Sequence, residues 1–259
     1  MINIVRKLII LGTAFLSLIT AFNSQAYASG EFDAQQETAI QKIIRNYLVT
    51  NPEVLVEASK ALQQKQLDMM QSSAMKGIID NKAQIFSAKN DPLAGNNQGD
   101  ITIVEFFDYQ CPHCIEMMPV INTIIRTNPN VRVIFKEFPI FGNVSDFASR
   151  AALAANEQGK YFAFHDAIMN AKKRLSKDII LQVAKNTGLD IEQLQKDMNS
   201  AKITKTLGDN RELAKALQLV GTPAFVVGPA DADDVSAENT TFISGQTTEA
   251  VLQNAIDRI

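Results

Sequence analysis

Two cysteines, Cys111 and Cys114, are the only ones in 259 residues, and they stand close together in the stretch DYQCPHC. Their flanks constrain the fold. ITIVEFF, Ile101 to Phe107, is an apolar run of branched and aromatic residues, as a strand buried on both faces would be. Pro112 suits a helix start, and Ile115, Met118 and Val120 carry a helix to about Thr127, where Asn128-Pro129 ends it. VRVIFKEF, Val131 to Phe138, reads as a second strand. The cysteine pair is therefore expected at a strand-to-helix junction.

From Ser145 to about Leu219 the periodicity is helical, with a cap expected at Gly159 and the stretch TGLD separating two later helices. PAFVVG and TTFISG then read as strands joined by an acidic loop, and Val251, Leu252, Ala255 and Ile256 mark a closing helix. The order is β, α, β, a helical block, β, β, α, with no internal repeat.

Ahead of this lie two segments of other character. Arg6 and Lys7 precede an apolar run from Leu8 to Phe22, and Ala26-Tyr27-Ala28 offers a small-residue cleavage site. The run is shorter than the ~20 apolar residues of a spanning helix. The expectation is a signal peptide over residues 1–28, cleaved after Ala28, and export to a bacterial periplasm. Its loss removes two positive charges and no negative one, taking the net charge from -3 to -5, an acidity that argues against nucleic acid as a partner. Outside the cytosol a disulfide persists.

In residues 29–88, Ile40, Ile43, Ile44, Tyr47 and Leu48 form one apolar helical stripe. Asn51 and Pro52 then suit the start of a second helix running through Leu55, Ala58 and Leu62 into a Gln-rich stretch. The stripe needs a partner. Self-association of the chain through residues 35–75 is expected, the alternative being that these helices fold back onto the following domain. The Pro-, Gly- and Asn-rich stretch from Ala88 to Asp100 places the boundary at 88/89, with the second domain over 89–259 and its helical insertion over about 144–219.

A disulfide between cysteines this close would stabilise little, because the gain grows with the loop closed. A closed zinc site needs four ligands, and the chain has no third cysteine and only His113 and His165. A redox pair remains. Cys111 just before a helix N-terminus meets unpaired N–H groups and the positive end of the macrodipole, which favour a thiolate. Cys114, one turn on, is expected to be the more buried sulfur and placed to attack a mixed disulfide at Cys111. No metal and no cofactor is called for.

The stretches EFFDYQCPHC, GKYFAFHDAI and VGTPAFVVG resemble the DsbA family of periplasmic thiol:disulfide oxidoreductases over roughly Asp100 to Ile259. The segment around NYLVTNPEVL resembles the oligomerisation arm of the longer, ScsC-like members. The fold this implies is α/β and thioredoxin-like, with an inserted all-helical subdomain, preceded by an N-terminal helical oligomerisation arm. By the same resemblance, Cys111 is the nucleophile, Cys114 the resolving cysteine, and Pro112-His113 the dipeptide that tunes them. Pro223 matches a cis-proline opposite the sulfurs, turning the backbone of Thr222 toward them and toward an extended substrate. His113 is expected to stabilise the Cys111 thiolate, and each ~1.4 kcal/mol of such stabilisation corresponds to about 30 mV of oxidising power.

Glu105 occupies the place of the family's buried acid. Lys136 on the neighbouring strand is expected to pair with it, the two forming a proton relay for Cys114. His165 reads as a packed or surface histidine.

The proline-histidine dipeptide resembles the oxidase branch, whereas threonine before the proline is more typical of isomerases and reductases. The expected activity is disulfide formation and rearrangement in exported cysteine-containing proteins, with a membrane redox partner of the DsbB or DsbD type. The alternatives are a dedicated oxidase recharged by a membrane quinone reductase, or a redox-dependent chaperone or copper-handling protein using Met117 and Met118 as soft ligands.

Overall fold

The computed structural model describes residues 32–87, 91–171 and 173–259. The expected signal segment lies outside these residues. Among the described residues no helix is long and apolar enough to cross a membrane.

The described residues divide into two units, one ending at Gln64 and the other beginning at Lys65. In the first, α1 (Ala34–Thr50) is opened by Asp33, whose carboxylate accepts from the N–H groups of Gln35 and Gln36, while Gln36 closes a reciprocal capping box. The helix buries none of its residues: Ile43, Ile44, Tyr47 and Val49 all face solvent. Asn51 caps the end of α1 through Tyr47 O rather than the start of the next helix as expected. That helix, α2 (Glu53–Asp80), begins in the first unit and ends in the second.

The division therefore falls within α2, not at the expected 88/89, and the reason is packing. Ile78 of α2 joins Ile85 and Phe86 of α3 (Lys82–Phe86) in the core beneath the sheet. Gly77 permits this approach, since a Cβ there would lie 2.5 Å from the carbonyl oxygen of Ala216. The fold-back alternative holds for the last third of the arm.

In the second unit, β1 (Leu93–Gly95), β2 (Ile101–Phe107), β3 (Val131–Glu137), β4 (Ala224–Pro229) and β5 (Thr241–Ser244) form one sheet in the order β1-β3-β2-β4-β5. β2 and β3 are parallel and the other pairs antiparallel. β1 is a short edge strand in the stretch expected to be only a linker; it pairs with β3 through Leu93 and Ile134.

The connection from β2 to β3 is α4 (Pro112–Thr127). The insertion comprises α5 (Asn143–Glu157), α6 (Tyr161–Met169), α7 (Lys177–Asn186), α8 (Ile191–Asp197) and α9 (Ala201–Ala216). Gly159 and Gly188 take positive φ where the sequence placed breaks. The chain closes with α10 (Glu249–Ile256).

Strand residues alternate between two cores. Ile103, Phe107, Val133, Phe135 and Phe225 meet α4, the insertion and α10 on one face. Val104, Phe106, Ile134 and Val226 meet the end of α2, α3 and part of α9 on the other. The fold is the thioredoxin-like one, with a helical insertion between β3 and β4.

Candidate active site

β2 ends at Phe107, and Asp108 to Gln110 turn the chain into α4 with Cys111 as its N-cap residue and Pro112 in its first turn. Both sulfurs belong to free thiols and both residues are buried, Cys111 at 2% exposure and Cys114 at 1%. The expected contrast in burial is thus small. Across from them the Thr222-Pro223 bond is cis, and the Thr222 carbonyl accepts a hydrogen bond from Cys111 Sγ at 3.2 Å. Burial pushes the Cys114 thiol well above its ordinary value, and the nearby Glu105 adds to the shift.

Glu105 lies on the α4 side of β2, 3% exposed, and burial raises its carboxyl to about 8. It is thus held protonated at neutral pH beside Cys114. The expected pair with Lys136 does not form. Glu105 is in register with Phe135, so Lys136, the next residue, points to the other face of the sheet. There Lys136 Nζ meets Asp91 Oδ2 at 2.5 Å and the Gln84 carbonyl at 3.0 Å. Even with this partner, burial keeps the Asp91 carboxyl above its usual range.

His113 is exposed, and its Nδ1 lies 2.9 Å from Gln246 Oε1. Gln246 Nε2 in turn donates to Glu116 Oε2 at 2.8 Å. His113 is therefore held by Gln246 in the segment following β5, a partner the sequence did not single out.

Asp108 was missed as well. Fully buried, it accepts from Gln110 N–H at 2.7 Å and Ser145 Oγ at 2.7 Å on one oxygen, and from Ile140 and Phe141 N–H at 2.7 and 3.0 Å on the other. One carboxylate thus ties the loop before Cys111 to the entry of the insertion. The available signal was an aspartate directly after a buried strand and ahead of a helix, where its side chain commonly closes a turn.

Below this loop, Tyr109 Oη donates to Glu137 Oε1 at 3.0 Å and meets His165 Nδ1 at 3.0 Å. Tyr161 Oη donates to the same carboxylate oxygen at 2.8 Å. Burial raises Glu137 to about 8 and lowers His165 to about 3, so both are neutral near pH 7. His165 is a buried histidine, stacked on Tyr161. Among the described residues no cluster of three or more acids, histidines or cysteines could hold a metal.

A buried thiol pair at a helix start, facing the backbone of a cis X-Pro unit, is an arrangement suited to dithiol–disulfide exchange. Comparison with known proteins agrees in fold. Residues 102–257 match the family described as DSBA-like thioredoxin domain, and residues 36–67 match the one described as copper resistance protein ScsC N-terminal domain. The crystal structure of Salmonella enterica Typhimurium BcfH is 32% identical and superposes with a TM-score of 0.72, covering 86% of this chain and 96% of that one.

A thioredoxin-like oxidoreductase from Silicibacter pomeroyi is 42% identical, with a TM-score of 0.63 over 69% of this chain and 96% of that one. The thiol:disulfide interchange protein DsbA of Bordetella pertussis is 29% identical over 56% of this chain and 72% of its own length. Other curated relatives are longer: the chain spans 26% of the Na(+)/H(+) antiporter NhaA 3 of Salinispora tropica, at 25% identity. The match through residues 102–257 takes in the cysteine pair, the helical insertion and the cis-proline, and on it the chain belongs to the DSBA-like thioredoxin domain family.

Proposed function

We propose that the chain is an exported thiol:disulfide interchange enzyme that forms and rearranges disulfide bonds in other exported proteins. The observation that carries this reading is the Cys111 Sγ, seated at the start of α4 and 3.2 Å from the Thr222 carbonyl beside cis Pro223.

In the donating direction, a client thiolate attacks Cys111 of the Cys111–Cys114 bridge, and Cys114 leaves as a thiolate. Burial makes that anion costly, so it takes a proton. Glu105 is the proposed donor, neutral near pH 7 and the acid nearest the sulfur in electrostatic effect. A second client thiol loses its proton and attacks the client sulfur of the mixed disulfide; Cys111 leaves as a thiolate at the helix N-terminus. Two electrons pass from the client dithiol to the pair. Rearrangement starts from the reduced pair and runs the second exchange in reverse: the Cys111 thiolate attacks a client disulfide and a client thiolate leaves. Attack by a different client thiolate on the client sulfur of the mixed disulfide then forms the new client bond and releases Cys111. Lys136 has no part in the relay, because the sheet separates it from Cys114.

The signal segment supports a periplasmic location with cleavage after Ala28, and recharging by a membrane partner of the DsbB or DsbD type. The unburied stripe of α1 supports homo-oligomerisation through residues 35–75. Several sites facing one cleft favour rearrangement, since a client can be held while a wrong disulfide is opened and closed again. The test is reduction of insulin and reactivation of scrambled ribonuclease by the full chain. Both activities are expected in the native protein and neither in Cys111→Ser; activity that survives this substitution overturns the proposal.

A further inference from the structure

On the insertion side of the cysteines, away from Thr222 and Gln246, lies a cleft of about 410 Å³ lined by Tyr109, Gln110, Ile115, Phe141, Ile168 and Leu175, with Lys173 and Arg174 at its edge. Its apolar lip is open to water: Ile115 is 40% exposed and Phe141 52%. The lip is also held in place. Asp108 fixes the N–H of Phe141, and Gln110 Nε2 donates to the Phe141 carbonyl at 3.1 Å. Exposed aromatic surface fastened by hydrogen bonds differs from a side chain merely left over on a loop.

The charges are one-sided. Lys173 and Arg174 are exposed and form no ion pair among the described residues, and they follow Lys172 in an otherwise acidic chain. The cis-proline side carries Glu116 instead, more than half exposed beside His113 and Gln246. A polypeptide crossing the cysteines therefore meets opposite charge on its two sides.

We propose that this cleft is a client-recognition subsite, taking a large apolar side chain from the polypeptide that carries the reacting cysteine, followed by acidic residues that meet Lys173 and Arg174. Gln110 adjoins Cys111 in the chain, and an extended peptide advances about 3.3 Å per residue. The apolar side chain accordingly belongs two or three residues from the client cysteine. The proposal rests on Cys111 as the exchanging sulfur and deepens that reading.

The test uses three dodecapeptides, each closed by a disulfide between two cysteines and differing only in a triplet two residues beyond the first cysteine: Phe-Glu-Glu, Ser-Glu-Glu or Phe-Lys-Lys. The rate at which the reduced full chain opens each disulfide is measured at low ionic strength, with bis(2-hydroxyethyl) disulfide as a linear, uncharged reference. The Phe-Glu-Glu peptide is expected to react about 10-fold faster than either other peptide, and Lys173→Glu/Arg174→Glu to invert the preference between Phe-Glu-Glu and Phe-Lys-Lys. Equal rates for the three peptides, or a preference the double variant leaves unaltered, overturn the subsite. Failure to open any peptide or the reference overturns the underlying exchange reading instead.

Discussion

Ser145 Oγ donates to Asp108 Oδ1 at 2.7 Å, a bond that joins the first turn of the helical insertion to the loop presenting Cys111. The same carboxylate receives three backbone N–H groups, so its removal leaves four donors without their partner. Asp108→Ala is expected to lower stability by about 2–4 kcal/mol and to slow the proposed exchange, because the loop presenting Cys111 loses its tether. Urea unfolding and insulin reduction check this; an unchanged midpoint and rate would show the hub to be dispensable.

Titration of the buried acids sets a pH dependence of stability. Glu105 and Glu137 ionise near 4.5 when unfolded and at about 8 in the folded chain. Each therefore favours the folded state fully below pH 4.5 and progressively less as pH rises to 8. His165, pushed from 6.5 down to about 3, acts oppositely, its contribution being complete above 6.5 and lost as pH falls toward 3. Stability should decline most steeply between pH 6.5 and 8, by on the order of 1.4 kcal/mol per pH unit for each carboxyl. In Glu105→Gln that slope is expected to fall by about half, read from denaturant midpoints across the interval. Parallel curves for the two proteins would remove Glu105 as a titrating group.

Lys136 and Asp91 form a buried pair on the sheet face opposite the cysteines. Lys136→Met leaves Asp91 an uncompensated charge, at an expected cost of about 3–5 kcal/mol, and adding Asp91→Leu should recover most of it. The pH profile of exchange should keep the native shape in the double variant. A shifted profile would return Lys136 to the relay.

Most of the second unit was legible because its signals are local. The ITIVEFF run, Pro112 in the first turn of α4 and the breaks at Gly159 and Gly188 each specify backbone geometry within a few residues. The cysteine pair was readable from its spacing, since few chemistries use it, whereas Pro223 was singled out only by the resemblance of VGTPAFVVG to the family. What failed depended on register. Glu105 and Lys136 looked like partners until the pairing of Glu105 with Phe135 sent them to opposite faces. Asn51 suited either helix end, and the contact of Gly77 with Ala216 links positions far apart in sequence. The roles of Asp108 and Gln246 likewise depend on partners that only the folded chain brings near.

The exposed stripe of α1 bears on assembly. Ile44→Asp, placed among Gln41, Arg45, Leu48 and Val49, is expected to convert the proposed oligomer into a monomer in size-exclusion chromatography with light scattering. A native chain already monomeric at micromolar concentration, or an oligomer unaffected by the substitution, would contradict the role of this face.

The identity of the exchanging sulfur is tested most directly by trapping. Reduced Cys114→Ser is mixed with insulin, quenched with acid, and its intact mass and disulfide-linked peptides are read by mass spectrometry. The account predicts a stable mixed disulfide between insulin and Cys111 that the native pair would resolve. No adduct at Cys111, or an equal adduct at Cys114 in the Cys111→Ser protein, would contradict it.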